Sequence, residues 1–197
     1  NRIIVIKIKM KKIGITGSLA SGKTTASKIL SFKKGPLFSA DKIVKKLYKN
    51  KNFKKVLIRK LKIKDNSNLK KILRKKILSD KSYLIKLEKI IHPLVRVQMK
   101  NFLKRNKRKK FVFFEIPLLI ESKLTKKFDI IIYIRTKKSL RLRRFKSKGG
   151  SKRLFDVLDK KQMSDQKKMK FCDHVVVNNK NLAILKRNLL YILSRYE

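Results

Sequence analysis

Residues 12–24 read Lys12-Ile13-Gly14-Ile15-Thr16-Gly17-Ser18-Leu19-Ala20-Ser21-Gly22-Lys23-Thr24. The stretch Gly17 to Thr24 matches G-x-x-x-x-G-K-[ST] at every position. Lys12–Thr16 before it reads as an apolar strand. After it, Ala26, Ile29 and Leu30 share one face of a helix predicted to run to about Lys34, where Gly35 and Pro36 stop it. A glycine loop between a strand and a helix turns consecutive N–H groups inward onto phosphate oxygens. The positive end of the helix adds to the same attraction for anions. Gly14, Gly17 and Gly22 are half of the chain's 6 glycines, so glycine is concentrated where the backbone must be unusual. Gly17, Ala20, Ser21, Gly22, Lys23, Thr24 and Thr25 are therefore expected to cradle a nucleotide. Lys23, on an exposed loop, is expected to reach the β- and γ-phosphates of ATP, and the Thr24 hydroxyl to ligate Mg²⁺.

Outward from this loop, strands alternate with helices. Leu37–Ala40 reads as a short strand, followed by a helix from about Asp41 carrying Val44, Leu47 and Tyr48. Phe111–Ile116 and Phe128–Ile134 are continuous apolar runs, as in strands buried on both faces of a parallel sheet. A basic helix is predicted over Lys137–Lys146, broken by Gly149 and Gly150, then a polar helical stretch to about Lys170. Val175–Val177 reads as a short strand and Leu182–Leu193 as a closing helix. The fold class is α/β, a doubly wound parallel sheet, in one domain over 1–197. The helical block at about 45–105 is too large for a simple crossover and is expected to form a lobe over the sheet. Within it, Pro93 should kink or restart a long helix, because it lacks an N–H and crowds the preceding turn. Met10 is the expected true start, because the first core strand begins immediately after it; the alternative is an extra strand over Asn1–Lys9, where the apolar run Ile3–Ile8 is strand-sized.

Composition narrows the function classes. Hydrophobic residues make up 42%, enough for a packed core despite 36% charged residues. No apolar run reaches the ~18 residues of a membrane span. No signal peptide is evident, and the single cysteine, Cys172, has no internal disulfide partner, so a cytoplasmic location is expected. The formal net charge is +46. Nucleic-acid binding is one explanation, since Lys and Arg displace phosphate counterions. Yet the basic residues are scattered through every segment, without interleaved aromatics, as on a solvated lysine-rich surface, and no specific nucleic-acid partner is expected.

A GTPase would carry N-K-x-D for guanine, and Asn179-Lys180-Asn181-Leu182 lacks the acid. A large ATPase motor is excluded by size. A small-metabolite kinase remains, and here the chain resembles a family. Phe38-Ser39-Ala40-Asp41-Lys42-Ile43-Val44 is similar to the D-A-D-x-[IV] element of the dephospho-CoA kinases. Ile91-His92-Pro93-Leu94-Val95-Arg96 resembles that family's H-P-x-[IV]-R. Glu115-Ile116-Pro117-Leu118-Leu119-Ile120-Glu121 resembles its P-L-L-x-E. Gln162 with Cys172-Asp173-His174-Val175-Val176-Val177-Asn178 resembles its Q…A-D-x-[VI]-[IV]-x-N. The resemblance runs from Met10 to the last helix. Ser39 departs from it, standing at the first Asp of D-A-D, and Cys172 stands at an Ala.

The resemblance implies a P-loop kinase fold with an acceptor-binding lobe and a lid at about 141–165. It implies phosphorylation of the ribose 3′-hydroxyl of dephospho-CoA by ATP, giving coenzyme A and ADP. Asp41 would be the base for that hydroxyl; read from its position alone, it serves equally as a helix N-cap. His92 and Arg96 would face the acceptor, although a histidine before Pro93 also simply packs at a kink. Glu115, an acid ending an apolar run, would hold Mg²⁺ through water. Arg143 fits the first lid arginine by its distance from Gln162. Ser147 falls at the second, with Arg144 and Lys148 as the neighbouring cations. Two other classes stay open: another small-metabolite, nucleoside or nucleotide kinase, and a basic ATP-responsive nucleic-acid-binding protein.

Overall fold

The computed structural model describes residues 9–63, 68–80 and 82–197; the strand reading for Ile3–Ile8 lies outside them. Parallel strands β1 (Lys11–Gly17), β2 (Leu37–Ser39), β3 (Phe111–Glu115), β4 (Ile130–Arg135) and β5 (His174–Val177) form one sheet in the order β2-β3-β1-β4-β5. The apolar runs behave as expected of strands covered on both faces: every residue of β3, and of β4 up to Ile134, is buried. Against one face pack α1 (Lys23–Ser31) and the closing helix α9 (Leu182–Ser194). Leu30, Leu185, Leu189 and Leu193 meet Ile13, Ile15, Phe113 and Ile132 there. The other face gathers Phe38, Phe114, Phe128 and Phe102, whose neighbouring rings are 5.3–5.7 Å apart.

The predicted helical lobe consists of α2 (Ala40–Leu47), α3 (Lys51–Lys60), α4 (Leu69–Ser79) and α5 (Ser82–Arg105). It has its own core, in which Phe53, Leu57, Leu73, Leu87 and Ile91 are buried. Pro93 does not restart α5, which runs through it. Leu87 and Ile91 before it are buried in the lobe, while Met99 beyond it is buried against the sheet. Packing at both ends holds the helix across its missing hydrogen bond.

Three further boundaries differ from the sequence reading. Helix α1 stops at Ser31, because Lys33 adopts a left-handed φ of 56° before Gly35. Strand β4 begins at Ile130, since Phe128 is taken up by a 3-10 turn over Thr125–Lys127. The stretch before β5 divides into α7 (Lys152–Lys161) and α8 (Asp165–Met169), preceded by the basic helix α6 (Lys138–Lys146). No helix among the described residues is long and apolar enough to cross a membrane.

Strand register delivers the site. Ile15 of β1 lies beside Glu115 of β3, and Glu115 lies beside Ser39 of β2. The carboxyl ends of three adjacent strands thus bring Gly17, Glu115 and Ser39 to one edge, the edge at which α/β proteins bind ligands.

Candidate active site

The loop from Gly17 to Lys23 is held from behind by its neighbours. The Ser21 carbonyl accepts hydrogen bonds from Thr136 Oγ1 and Asn178 Nδ2, both at 2.9 Å, and from Arg144 Nη1 at 3.4 Å. Ser18 Oγ is bonded to Tyr133 and Asp165; burial raises the Asp165 pKa, but these two hydroxyls hold its carboxyl below the usual range. Gly17 has φ 152° and Gly22 has φ 97°. A Cβ on Gly17 would lie 2.5 Å from the Ile134 carbonyl oxygen, and one on Gly22 would lie 2.3 Å from Asn178 Nδ2. Both positions therefore require glycine. Ala20 also takes a left-handed conformation, at φ 58°. Ser21 Oγ is buried and has no hydrogen-bond partner among the described residues. A glycine-shaped cradle with an orphan hydroxyl beneath it fits a phosphate.

Lys23 does not stand on an exposed surface. It is 7% exposed, and its ammonium donates to the carbonyls of Gly17 (3.1 Å) and Ser18 (2.9 Å). Burial lowers its pKa to about 8, with Asp41 the strongest opposing influence. Glu115 is buried and accepts hydrogen bonds from Thr24 Oγ1 on one oxygen and from Ser39 Oγ, at 2.7 Å, on the other. A hydroxyl and a carboxylate beside a phosphate cradle suit Mg²⁺, which takes few protein ligands and keeps its waters. No group of three or more His, Cys, Asp or Glu among the described residues could hold a metal by itself.

Ser39, and not Asp41, is the N-cap of α2: its hydroxyl accepts from the Lys42 N–H at 3.4 Å. The helix starts one residue earlier than expected, so Asp41 lies in its first turn. Asp41 faces a cleft of about 630 Å³ that is lined also by Ala20, Gly22, Lys23, Thr24 and Thr25. Desolvation in this cleft raises the Asp41 pKa; Lys23 opposes the shift and Glu115 reinforces it.

A second chamber of about 450 Å³ is lined by His92 and Arg96 from α5, with Glu88 and Glu121. Leu19, Pro117 and Gln162 border both cavities, which therefore adjoin. Burial lowers the His92 pKa; Arg96 and Lys161 act in the same direction, against Glu88. The structure thus separates the expected acceptor residues. Asp41 stands with the phosphate loop, whereas His92 and Arg96 stand next door.

Arg143, the expected lid arginine, is exposed and outside the cleft, which its neighbours Arg144, Ser147 and Lys148 line. Arg144 reaches the carbonyls of Ser21 and Asn178, so its guanidinium lies against the phosphate loop. Arg141 is buried beneath the same loop, paired with Asp159. Arg74 also lines the cleft, from α4. It is one cation in a lysine-rich helix, and no local pattern marks it.

A family model described as dephospho-CoA kinase matches residues 11–183. A dephospho-CoA kinase of Bartonella quintana is 35% identical over 190 residues, which are 94% of this chain and 97% of that protein. One from Fusobacterium nucleatum is 36% identical, over 88% of this chain and 92% of the relative. Among solved structures, the dephospho-CoA kinase from Campylobacter jejuni superposes with a TM-score of 0.61 at 26% identity, covering 94% of this chain and 96% of that one. A shikimate kinase from Acinetobacter baumannii reaches a TM-score of 0.57 at 16% identity, over 95% and 96% of the two chains, a likeness of fold alone. The matching family model runs from β1 through the helical block to residue 183, the curated relatives match most of the chain, and the chain belongs to the dephospho-CoA kinase family.

Proposed function

We propose that this protein transfers the γ-phosphoryl group of ATP to the ribose 3′-hydroxyl of dephospho-CoA, with Mg²⁺, giving coenzyme A and ADP. The observation that carries this reading is one cleft holding both Asp41 and the phosphate loop, adjoining a chamber with His92 and Arg96. The N–H groups of the loop and Lys23 bind the phosphates of ATP. Thr24, with Glu115 behind it, would hold Mg²⁺, and the ion would supply charge neutralisation at the phosphates. His92 and Arg96 bind the acceptor, and Arg96 suits an anionic group.

Asp41 aligns the acceptor hydroxyl and takes its proton. The hydroxyl oxygen bonds to the γ-phosphorus as the bond to the bridging oxygen breaks, and ADP leaves. The transition state is loose, so catalysis lies in positioning and in charge stabilisation by Lys23 and an arginine of α6, a role that the contacts of Arg144 with the phosphate loop support. The raised Asp41 pKa suits the role, because a stronger base accepts a proton more readily.

The test is ADP release with ATP and Mg²⁺ against a panel of acceptors. Dephospho-CoA should be turned over at least ~10²-fold faster than AMP, adenosine or shikimate, a barrier difference of ~2.7 kcal/mol. Turnover of AMP with none of dephospho-CoA would overturn the assignment.

A further inference from the structure

Among the described residues two lysines are buried, Lys23 in the phosphate loop and Lys168 outside it. Lys168, on α8, is 0% exposed. Its Nζ lies 2.8 Å from Glu121 Oε1 and donates to Gln162 Oε1 at 3.0 Å. The same Gln162 oxygen accepts the Leu19 N–H of the phosphate loop at 3.2 Å. Glu121 Oε1 further accepts the Met163 N–H at 3.2 Å, while Glu121 Oε2 is buried without a partner among the described residues. Glu121 lines the second chamber, and Gln162 borders both. A continuous polar chain, Glu121–Lys168–Gln162–Leu19, therefore runs from the wall of the acceptor chamber to the backbone of the phosphate loop.

A buried ammonium is costly unless it is paired and fully hydrogen-bonded. Hydrophobic residues of similar volume would fill the same space at no such cost. The lysine's contribution lies in direction. Its charge polarises the Gln162 carbonyl and fixes which side-chain atom meets the Leu19 N–H, because a flipped amide would set an NH₂ against both donors. We infer that Lys168 is a positioning residue: through Gln162 it holds the first turn of the phosphate loop in register with the acceptor chamber that Glu121 lines. This inference rests on the kinase reading above, and it adds the group that aligns the two substrates with each other.

Replacing Lys168 alone strands the Glu121 carboxylate and risks misfolding. The decisive variant is therefore the double substitution Lys168→Met/Glu121→Gln, which removes both charges together and so avoids a lone buried ion. Its kcat with ATP and dephospho-CoA should fall at least ~10-fold, since small misplacements of reacting groups cost that and more. Its KM for ATP should stay within ~3-fold and its Tm within a few degrees. Gln162→Leu should reproduce the kcat loss, and Gln162→Glu, which keeps an oxygen for both donors, should restore most of it.

An arm independent of turnover is amide hydrogen exchange. In the double variant the peptide containing Leu19 should lose protection at least ~10-fold, while peptides from β1 and α9 remain unchanged. If wild type forms no ADP from any acceptor, the kinase reading falls and the exchange result alone decides whether Lys168 positions the loop. Wild-type kcat in the double variant, or unchanged protection at Leu19, would overturn the inference. So would a kcat loss that merely follows a fall in Tm, or a Gln162→Glu variant as impaired as Gln162→Leu.

Discussion

Replacing Asp41 with Asn separates two roles that the residue type alone confounds. Because Ser39 caps α2, Asp41→Asn leaves the cap intact, and the side chain keeps its size. Because folding raises the Asp41 pKa, its charge does not stabilise the fold, and the Tm of Asp41→Asn should be unchanged or slightly higher at neutral pH. The catalytic effect should be larger. A positioned base contributes about 10²–10⁴-fold, and a loose phosphoryl transition state places the loss at the lower end, ~10²-fold or ~2.7 kcal/mol. A second consequence follows from Lys23, whose pKa lies at about 8 and is supported chiefly by the Asp41 charge. Without that charge the Lys23 pKa falls, so the ammonium is lost at lower pH. In wild type kcat/KM for ATP should decline above about pH 8 as Lys23 deprotonates, and in Asp41→Asn this limb should move to lower pH. Steady-state kinetics across pH, with melting curves, distinguish the effects. Below the Lys23 limb of the variant and above the raised pKa of Asp41, where the wild-type carboxylate is ionised, the loss of kcat reports the base. A kcat within ~3-fold of wild type there would refute the catalytic role of Asp41.

The lid yields a paired prediction: Arg144→Ala should lower kcat by ~10²-fold, as expected for a donor to developing phosphoryl charge, while Arg143→Ala should change it by less than ~3-fold. Steady-state kinetics of both variants check the assignment. Glu115→Gln should raise the Mg²⁺ concentration needed for half-maximal activity by at least ~10-fold, read from a Mg²⁺ titration at fixed ATP, because the carboxylate charge behind Thr24 is gone. Ala20→Gly should raise stability by ~0.5–1 kcal/mol, measured by denaturant unfolding: relief of a left-handed alanine exceeds the added freedom of the unfolded chain.

The phosphate loop was legible because its signals are local. Glycines at Gly17 and Gly22 permit the turns, and the strand and helix periods on either side are those of β1 and α1. The sheet was legible for a similar reason, since Phe111–Phe114 and Ile130–Ile134 have no polar side to offer solvent. Which arginine of α6 faces the cleft was not legible from spacing. Arg143 lies at the expected distance from Gln162, yet α6 and α7 are separate helices joined through Gly149 and Gly150. Helical phase is lost across such a break, and one residue along a helix turns a side chain by about 100°. The cap was misread because Ser39 ends a strand and caps a helix at once, and a serine hydroxyl reaches the Lys42 N–H as well as a carboxylate does. Arg74 and Lys168 were hidden among 58 basic residues. Arg74 comes to the cleft through the tertiary folding of the lobe. Lys168 sits on a helix too short for an apolar period to reveal its buried face.

The central claim is the identity of the acceptor, and the fold alone does not distinguish it, since shikimate kinases share the architecture. The most direct measurement is kcat/KM for dephospho-CoA against shikimate with ATP and Mg²⁺, with the phosphorylated product identified by mass spectrometry and phosphorus NMR. The account predicts coenzyme A, phosphorylated at the ribose 3′-oxygen, at a kcat/KM at least ~10²-fold above that for shikimate. Phosphoshikimate as the favoured product, or a phosphate on dephospho-CoA at any other oxygen, would contradict it.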